Sequence, residues 1–567
     1  MLRRPLLLAA LHAAALSLLA APNAALGAGA VRAGLPGAVR ALLPGAVRTL
    51  LPGAVRTLLA AASFALVPGA VQALPTDGLR LDRHLGEHMV LQRDRPIEVR
   101  GFAAPRVAVE VRLAGHEGRT VSDAEGRFIA TLPALPAGGP HELEVLAGDE
   151  RLLLRDVLVG EVWVCAGQSN MRWMLGQCAT ASAALAQADC EELRLMDLTG
   201  VGVPNSRPWT DEVLAACTPD AYYRTEGWQR STADSARTFS AVAWFFGREL
   251  QARLGVPVGL IHNAIGGTCT EAYLDPASLE GEPRLGAAEG WLEDARVPEW
   301  PRQRGRQNLA RWLAEPEGPM PGHPFQPGFL FEAGIRPLSW LQVAGAVWYQ
   351  GESNATLADM DRAADPALGR LALDTLIDDW RRAFGRPDLP FLMVQLPSMG
   401  RAWMEYREVQ RQVARREGVE LAVTLDLGHP TDVHPRRKRE VGLRLAHLAL
   451  LSVHDERHGL RLSPRVARAE RDGEACVLTF DRAPDGLAAS DPAAVPGFEL
   501  LDEGGSWRPA SARLEGSRVL VSSPDAPRPR AVRYAWAPVP AVELMGIGGA
   551  PVGPLLEPLD ALGHDHR

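Results

Sequence analysis

The sequence lacks the features that mark metal, nucleic-acid and disulfide-rich proteins. Its six cysteines are scattered without C-x-x-C or histidine-rich spacing, which argues against a zinc site and a dense disulfide scaffold, although one or two bridges would fit the count. The net charge of −8 in 567 residues provides no basic surface for nucleic acid or an anionic membrane. We therefore expect no nucleic-acid partner.

Long apolar runs are absent after the first 75 residues. Residues 1–73 combine an arginine pair and an apolar run, typical of a secretory signal, with an eight-residue repeat, "LPGAVRAL", that begins at Leu35. Proline and glycine in every copy exclude a continuous helix. We interpret this segment as a leader, the alternative being an uncleaved anchor, and place the mature start near Leu74. We expect an exported protein without a membrane span once the leader is removed.

The remaining chain predicts three parts. Short alternating segments in residues 74–156 predict an N-terminal β-sandwich domain. Residues 157–455 alternate apolar strands with helical segments, which predicts an α/β domain whose parallel sheet has helices on both faces. Strand patterns return in residues 456–567 and predict a C-terminal β-domain and tail.

Ligands bind at the carboxyl ends of parallel strands, and polar or glycine-rich segments follow four predicted strands. "GQSN" follows the first strand, and its tight turn would leave the Ser169 hydroxyl exposed. The alternative is that Ser169 does no more than cap a helix. Gly266 and Gly267 follow the second, where backbone N–H groups could approach a ligand or form a plain turn. Gln350 and Asn354 follow the third and could donate side-chain amides to a developing oxyanion, or belong to a surface turn.

The fourth segment, "LGHPTDVHPRRK", places Asp432 and His434 two residues apart. Pro435 suits the first position of the helix that follows. Acyl transfer by a serine needs a hydroxyl, an imidazole that takes its proton, and a carboxylate that orients the imidazole. Ser169, His434 and Asp432 supply these three groups, and no metal or organic cofactor is needed.

These segments resemble the sialate O-acetylesterases, a branch of the GDSL-like (SGNH) hydrolase superfamily. The resemblance rests on "DVLVGEVWVCAGQSNM", "GGTCTEAYL", "GIRPL", "AVWYQGESNA" and "DVHPRRKREVGLRLA", which occur in the family's order. It extends to an N-terminal β-domain through "HMVLQRDRPIEVRG". It implies a central SGNH-hydrolase domain, flavodoxin-like with three α/β/α layers and a parallel sheet, flanked by N-terminal and C-terminal β-domains.

The resemblance also assigns roles. It makes Ser169 the nucleophile, His434 the general base and Asp432 the orienting carboxylate, with Asp426 as the alternative acid. Its oxyanion hole would combine the N–H groups of Ser169 and Gly267 with the Gln350 amide. Gly266 and Asn354 are the alternatives in that hole.

The implied substrate is an O-acetylated sugar. The family's name indicates 9-O-acetylsialic acid, whereas other enzymes of this fold deacetylate xylan and related polysaccharides, so these are the alternatives. Arg172 could pair with a substrate carboxylate and Trp173 could stack on a sugar ring. Two rival classes are a non-catalytic carbohydrate-binding protein and a different hydrolase, such as a lipase, thioesterase or peptidase.

Overall fold

Antiparallel strands open the part of the chain that the computed structural model describes, residues 78–356 and 363–559. The predicted leader, residues 1–73, lies outside these residues. The first strands are β1 (Arg80–Leu81), β2 (Val90–Gln92), β3 (Ile97–Phe102), β4 (Ala108–Leu113), β5 (His116–Val121), β6 (Arg127–Leu132) and β7 (Gly138–Ala147). β1, β3 and β6 form one sheet, while β4 pairs with β5 and β7. Alternate residues of β3 and β6 are buried, as expected for strands with one face on a core.

The next strand, β8 (Glu150–Gly167), joins this antiparallel structure to a parallel sheet. Its first half pairs with β7 and its second half with parallel neighbours. The predicted domain boundary at residues 156 and 157 falls inside this single strand. The turn at its carboxyl end is therefore supported by pairing over the whole length of the strand.

The parallel sheet is built around the second half of β8. Its other strands are β9 (Cys190–Asp197), β12 (Trp228–Ser231), β13 (Val258–Ala264), β14 (Gly345–Tyr349), β15 (Phe391–Val394) and β16 (Val419–Ala422). Two further strands, β10 (Thr199–Gly200) and β11 (Tyr223–Arg224), form a separate two-stranded sheet. The order is β12-β9-β13-β8-β14-β15-β16, with β12 antiparallel at the edge. Numbered along the chain, β13-β8-β14-β15-β16 has the doubly wound order 2-1-3-4-5, which places a crevice beside β8.

Helices cover both faces of this sheet. The α-helices of the described residues are α1 (Ser169–Arg172), α2 (Ala181–Leu185), α3 (Asp211–Ala216), α4 (Ala233–Thr238), α5 (Ala241–Leu254), α6 (Pro276–Gly281), α7 (Glu299–Asn308), α8 (Ala310–Ala314), α9 (Glu352–Ala355), α10 (Pro366–Ala383), α11 (Met404–Val413) and α12 (Lys438–Ser452). Successive β14 residues show the two faces: Trp348 packs in the core that contains α10, and Val347 in the core that contains α5 and α12. This period of two is that of a strand buried on both sides.

Helices α5 and α12 pack closely against each other. Ser240 caps α5, because its hydroxyl accepts the Ala243 N–H at 3.2 Å. Gly442 of α12 lies against α5, where a Cβ would come within 2.6 Å of the Phe245 Cβ. Glycine thus lets the two helices approach closely.

The C-terminal part consists of antiparallel strands. They are β17 (Arg465–Asp472), β18 (Ala475–Asp481), β19 (Leu487–Ala488), β20 (Phe498–Leu501), β21 (Trp507–Pro509), β22 (Ser511–Glu515), β23 (Arg518–Ser522), β24 (Ala531–Tyr534), β25 (Met545–Gly546) and β26 (Leu555–Pro558). They form sheets of order β17-β18-β23-β22, β21-β20-β24-β26 and β19-β25. The protein is thus a mixed α/β structure with several sheets.

Some details differ from the sequence-based expectations. The helix predicted from Pro435 begins at Lys438, because the preceding residues form a turn in which the Arg436 carbonyl accepts N–H groups from Ala179 and Lys438. All six cysteines are free thiols. Within the described residues, no helix has the length and apolar character needed to cross a membrane.

Candidate active site

Ser169 begins helix α1 directly after β8. Gly167 has a φ of 139°, and a Cβ there would lie 2.1 Å from the Tyr349 carbonyl oxygen, so only glycine fits this crossing of chains. Gln168 occupies the N-cap, and Ser169 is the first helical residue. The Ser169 hydroxyl is therefore not the helix cap, which was the alternative reading. It faces the cleft at the carboxyl edge of the sheet.

His434 meets this hydroxyl from the loop between β16 and α12. Its Nε2 lies 2.8 Å from the Ser169 Oγ, across 265 residues of sequence. The indole of Trp173 stacks on the imidazole, with ring centroids 5.2 Å apart. Burial lowers the pKa of the His434 imidazole, the Lys438 cation lowers it further, and the Asp432 carboxylate raises it. A neutral imidazole in contact with a serine hydroxyl can accept its proton.

The two candidate acids have other partners. The exposed Asp432 carboxylate accepts the backbone N–H of His434 at 2.9 Å, which tightens the loop. Asp426 makes a double ion pair with Arg444, with both N–O distances 2.6 Å. Within residues 78–356 and 363–559, no carboxylate hydrogen-bonds the His434 ring. The orienting role of Asp432 therefore stays a prediction.

The Gly266–Gly267 turn lies beside Ser169. The Thr268 N–H reaches the Ile265 carbonyl at 3.5 Å, and Gly267 has a φ of 81°, as at the third position of a type II turn. A Cβ on Gly266 would sit 3.7 Å from the Ser169 Cβ. In the described part of the chain, the backbone N–H groups of Ser169 and Gly267 have no hydrogen-bond acceptor. Both are available to a ligand.

Gln350 and Asn354 are held in a buried network behind the cleft. The Gln350 amide N–H groups donate to the Thr268 carbonyl at 3.1 Å and to the Asn354 Oδ1 at 2.7 Å. The Asn354 amide donates to both Glu271 oxygens, at 2.9 and 3.1 Å. Neither residue lines the cleft, whereas their neighbour Ser353 does. Their proposed contact with an oxyanion therefore stays a prediction.

The cleft around Ser169 has a volume of about 590 Å³. Three aromatic side chains and three arginines line it: Trp173, Trp300, Phe325, Arg172, Arg304 and Arg401. Of these, only Arg172 and Trp173 were predicted from the sequence. The other four lie in segments without a recognisable motif. Only the fold brings them beside Ser169.

These arginines differ from most others in the protein. Most other arginine side chains of the described residues form ion pairs or hydrogen bonds, as Arg444 does with Asp426, although some exposed ones, such as Arg106 and Arg518, also have no such partner. Among the described residues, the guanidinium groups of Arg172, Arg304 and Arg401 have no ion-pair or hydrogen-bond partner. Glu352 is the only carboxylate that lines the cleft there. The cleft therefore has excess positive charge beside its reactive hydroxyl.

Known proteins resemble this chain in sequence and in fold. A family model described as "Carbohydrate esterase, sialic acid-specific acetylesterase" matches residues 329–450. The crystal structure of a carbohydrate acetylesterase from Xanthomonas citri is 33% identical, with a TM-score of 0.69, and the match covers 84% of this chain and 99% of that one. The chain belongs to this family of carbohydrate esterases.

Mammalian relatives extend the match. The sialate O-acetylesterase of Mus musculus is 28% identical over 518 residues, covering 82% of this chain and 90% of its own. That of Homo sapiens is 28% identical over 348 residues, covering 57% and 58%. The resemblance found in the sequence motifs is confirmed. The protein is a carboxylic ester hydrolase that acts on O-acetylated carbohydrates.

Among the described residues, no group of three or more His, Cys, Asp or Glu side chains is arranged to hold a metal ion.

Proposed function

We propose that the protein is a sialate O-acetylesterase, a serine esterase that removes O-acetyl groups, including the 9-O-acetyl group, from sialic acid. The observation that carries this proposal is the position of three unpaired arginines on the cleft that holds Ser169 and His434. Sialic acid differs from most acetylated sugars in its carboxylate, which guanidinium groups bind in charge-assisted hydrogen bonds.

The mechanism needs only the chain's own groups. The Ser169 Oγ attacks the acetyl carbonyl while His434 Nε2 takes its proton. The tetrahedral intermediate collapses as the imidazolium returns that proton to the departing sugar oxygen, which leaves an acetyl-enzyme. Water, deprotonated by His434, then attacks the acetyl-enzyme and releases acetate and free Ser169. In this mechanism Asp432 is the carboxylate that orients the imidazole.

The free N–H groups of Ser169 and Gly267 support their assignment to the oxyanion hole. Donors that are fixed before the reaction stabilise a developing negative charge without reorganising. Gln350 would be the third donor if its Nε2 gave up its hydrogen bond to the Thr268 carbonyl and donated to the oxyanion instead. Gly266 and Asn354 remain the alternatives.

Replacing Gln350 with leucine should separate these alternatives. If the Gln350 amide stabilises the oxyanion, kcat on a neutral aryl acetate should fall by about 100- to 1000-fold with KM little changed, as for other oxyanion donors. Steady-state kinetics measures both constants. Asn354→Leu is the matched control in the same buried network. An equal or larger kcat loss in that control would instead assign the contact to Asn354.

The arginines and aromatic rings also bear on the alternative substrate. A neutral acetylated xylan would leave three guanidinium groups in a cleft that one carboxylate, Glu352, lines, and so would leave its excess positive charge uncompensated. Trp173 and Trp300 offer flat surfaces on which either sugar could stack. A long-chain lipase would need an apolar cleft, which the charged lining does not provide. A non-catalytic binding protein would not need the contact between Ser169 and His434.

Acetate release should discriminate between these substrates. We expect a higher kcat/KM for 9-O-acetylated sialic acid than for its carboxyl methyl ester or for acetylated xylo-oligosaccharides. Arg304→Gln should lower kcat/KM for the free acid by about 10- to 100-fold, the value of a charged hydrogen bond, and narrow its advantage over the methyl ester. Arg119→Gln, at an exposed arginine of β5, is the matched control. Equal rates on acid and methyl ester with wild-type enzyme would contradict sialate recognition.

We further propose the domain division of the sequence, with an SGNH-hydrolase part at residues 157–455 between β-domains at 74–156 and 456–567. Residues 1–73 would direct export to the periplasm or medium. The wide structural match to the Xanthomonas citri esterase supports the central assignment.

A further inference from the structure

Lys438 is the only lysine in the sequence, where the other 59 of the 60 Lys and Arg residues are arginine. It begins α12, four residues after His434, and its side chain is buried, at 1% exposure. An ammonium group is compact and carries three donors, whereas a guanidinium is broad and flat. A chain that otherwise uses arginine therefore places its single lysine in the space behind the catalytic serine.

The Lys438 Nζ donates to the Asn170 Oδ1, and Asn170 is the residue after Ser169. Because an ammonium group only donates, this contact fixes the Asn170 amide with its N–H groups pointing the other way. Those N–H groups donate to the Glu352 Oε1 and, at 3.0 Å, to the Val433 carbonyl. Val433 immediately precedes His434. One buried amide therefore links the serine turn to the histidine loop.

The groups that surround Lys438 belong to three segments of the chain, residues 170–178, 349–352 and 432–434. Its Nζ lies 5.4 Å from the Tyr349 ring centre and 5.8 Å from that of Trp173, which stacks on His434. The charged and titratable groups that face it are Glu352, Asp432, Cys178 and His434. Burial lowers the pKa of the Lys438 amine to about 7, and the carboxylates oppose that shift. Burial also raises the pKa of Glu352.

We propose that Lys438 is a positioning residue of the esterase reaction: its ammonium group holds Asn170, which ties the turn that carries Ser169 to the loop that carries His434. The proposal rests on the proposed roles of Ser169 and His434. Lys438 itself contacts neither the substrate nor the reacting atoms. It acts on the distance between Oγ and Nε2, to which proton transfer is sensitive.

Lys438→Met tests this proposal, since methionine fills similar space without charge or donors. We expect kcat on a neutral aryl acetate to fall by about 10- to 100-fold with KM within about twofold, the effect of a small misplacement of reacting groups. We also expect the acidic limb of kcat/KM to move to higher pH, because removing a nearby cation raises the pKa of His434. Arg439→Met, at the exposed cation next in sequence, is the matched control.

If Lys438 only stabilised the fold, Lys438→Met would lower the fraction of enzyme molecules with an active site and leave the rate constant of each active molecule unchanged. The burst of aryl alcohol in the first turnover counts those sites. A kcat loss explained by burst amplitude alone, with an unmoved acidic limb, would overturn the proposal. If Lys438→Met does not fold, Asn170→Ala removes the same link while the ammonium remains, and a kcat within about twofold of wild type would overturn it equally.

The single lysine also allows a direct measurement on the wild-type enzyme. After labelling with ¹³C-lysine, one side-chain Cε signal should titrate near pH 7 and shift when a phosphonate modifies Ser169. A signal that titrates near the ordinary amine value of about 10.4 and ignores the phosphonate would contradict the contact. Ser169→Ala distinguishes failure of the serine mechanism from failure of the positioning role. Full activity of Ser169→Ala would refute the serine mechanism. If Ser169→Ala is inactive and Lys438→Met has wild-type kinetics, only the positioning role is refuted.

Discussion

Replacing Ser169 with alanine should lower kcat for acetyl-ester hydrolysis by about a million-fold, the loss typical of a nucleophile in a triad. The Ser169 Oγ lies 2.8 Å from His434 Nε2 at the start of α1, beside the free N–H of Gly267. Without that oxygen no acetyl-enzyme can form. The residual rate would come from the oxyanion donors and substrate binding alone. Acetate release and the mass of the trapped acyl-enzyme measure both effects.

Ser353 provides the control for this experiment. It also lines the cleft, but its hydroxyl donates to the Gly267 carbonyl at 3.1 Å, and among the described residues the His434 ring hydrogen-bonds Ser169 and not Ser353. Ser353→Ala should therefore still form an acyl-enzyme. Acetate release that persists in Ser169→Ala and disappears in Ser353→Ala would show that the nucleophile has been misassigned.

Replacing His434 with alanine should cost nearly as much, again about a million-fold in kcat, because serine and histidine act as one unit. Its pH profile adds a second test in the wild-type enzyme. Burial lowers the pKa of the imidazole, so the base stays neutral to lower pH than a free histidine would. We expect kcat/KM to hold down to about pH 6.5, the ordinary imidazole value, and to fall only below it.

The double variant of Ser169 and His434 is the control for this second prediction. When two residues act as a unit, removing the first already abolishes their joint contribution to kcat. The double variant should therefore be little slower than either single variant. Losses that multiply would mean that the two residues act in separate steps. An acidic limb above the ordinary histidine value would contradict the effect of burial.

The contact between Ser169 and His434 follows from the sequence pattern. Both residues, like Gly267 and Gln350, come after strands of one parallel sheet, and the carboxyl ends of such strands share an edge. Each strand is encoded in an apolar run that can be recognised by itself, whereas the flavodoxin-like order of the strands is implied only by the family resemblance. The family motifs then indicate which residue at each strand end carries the chemistry.

The charge of the cleft was beyond sequence reasoning. Arg304 and Arg401 lie in segments whose composition resembles any solvated surface, and an arginine without a partner looks no different from a paired one in sequence. The contacts of Asp432 and Gln350 depend on side-chain rotamers, which spacing does not determine. The burial of Lys438 likewise depends on packing among segments far apart in the chain.

Exchange of N-terminal modules between relatives would have to respect strand β8. A chain shortened to begin at residue 157 would keep the half of β8 that ends at Gly167, just before Ser169, but lose most of the half that pairs with β7. It would also lose β2, whose residues pair with Leu158–Gly160, and so expose a buried apolar edge to other chains. Recombination between relatives would therefore have to transfer strands β1–β7 together with the nucleophile. A crossover point that preserves the fold lies before β1.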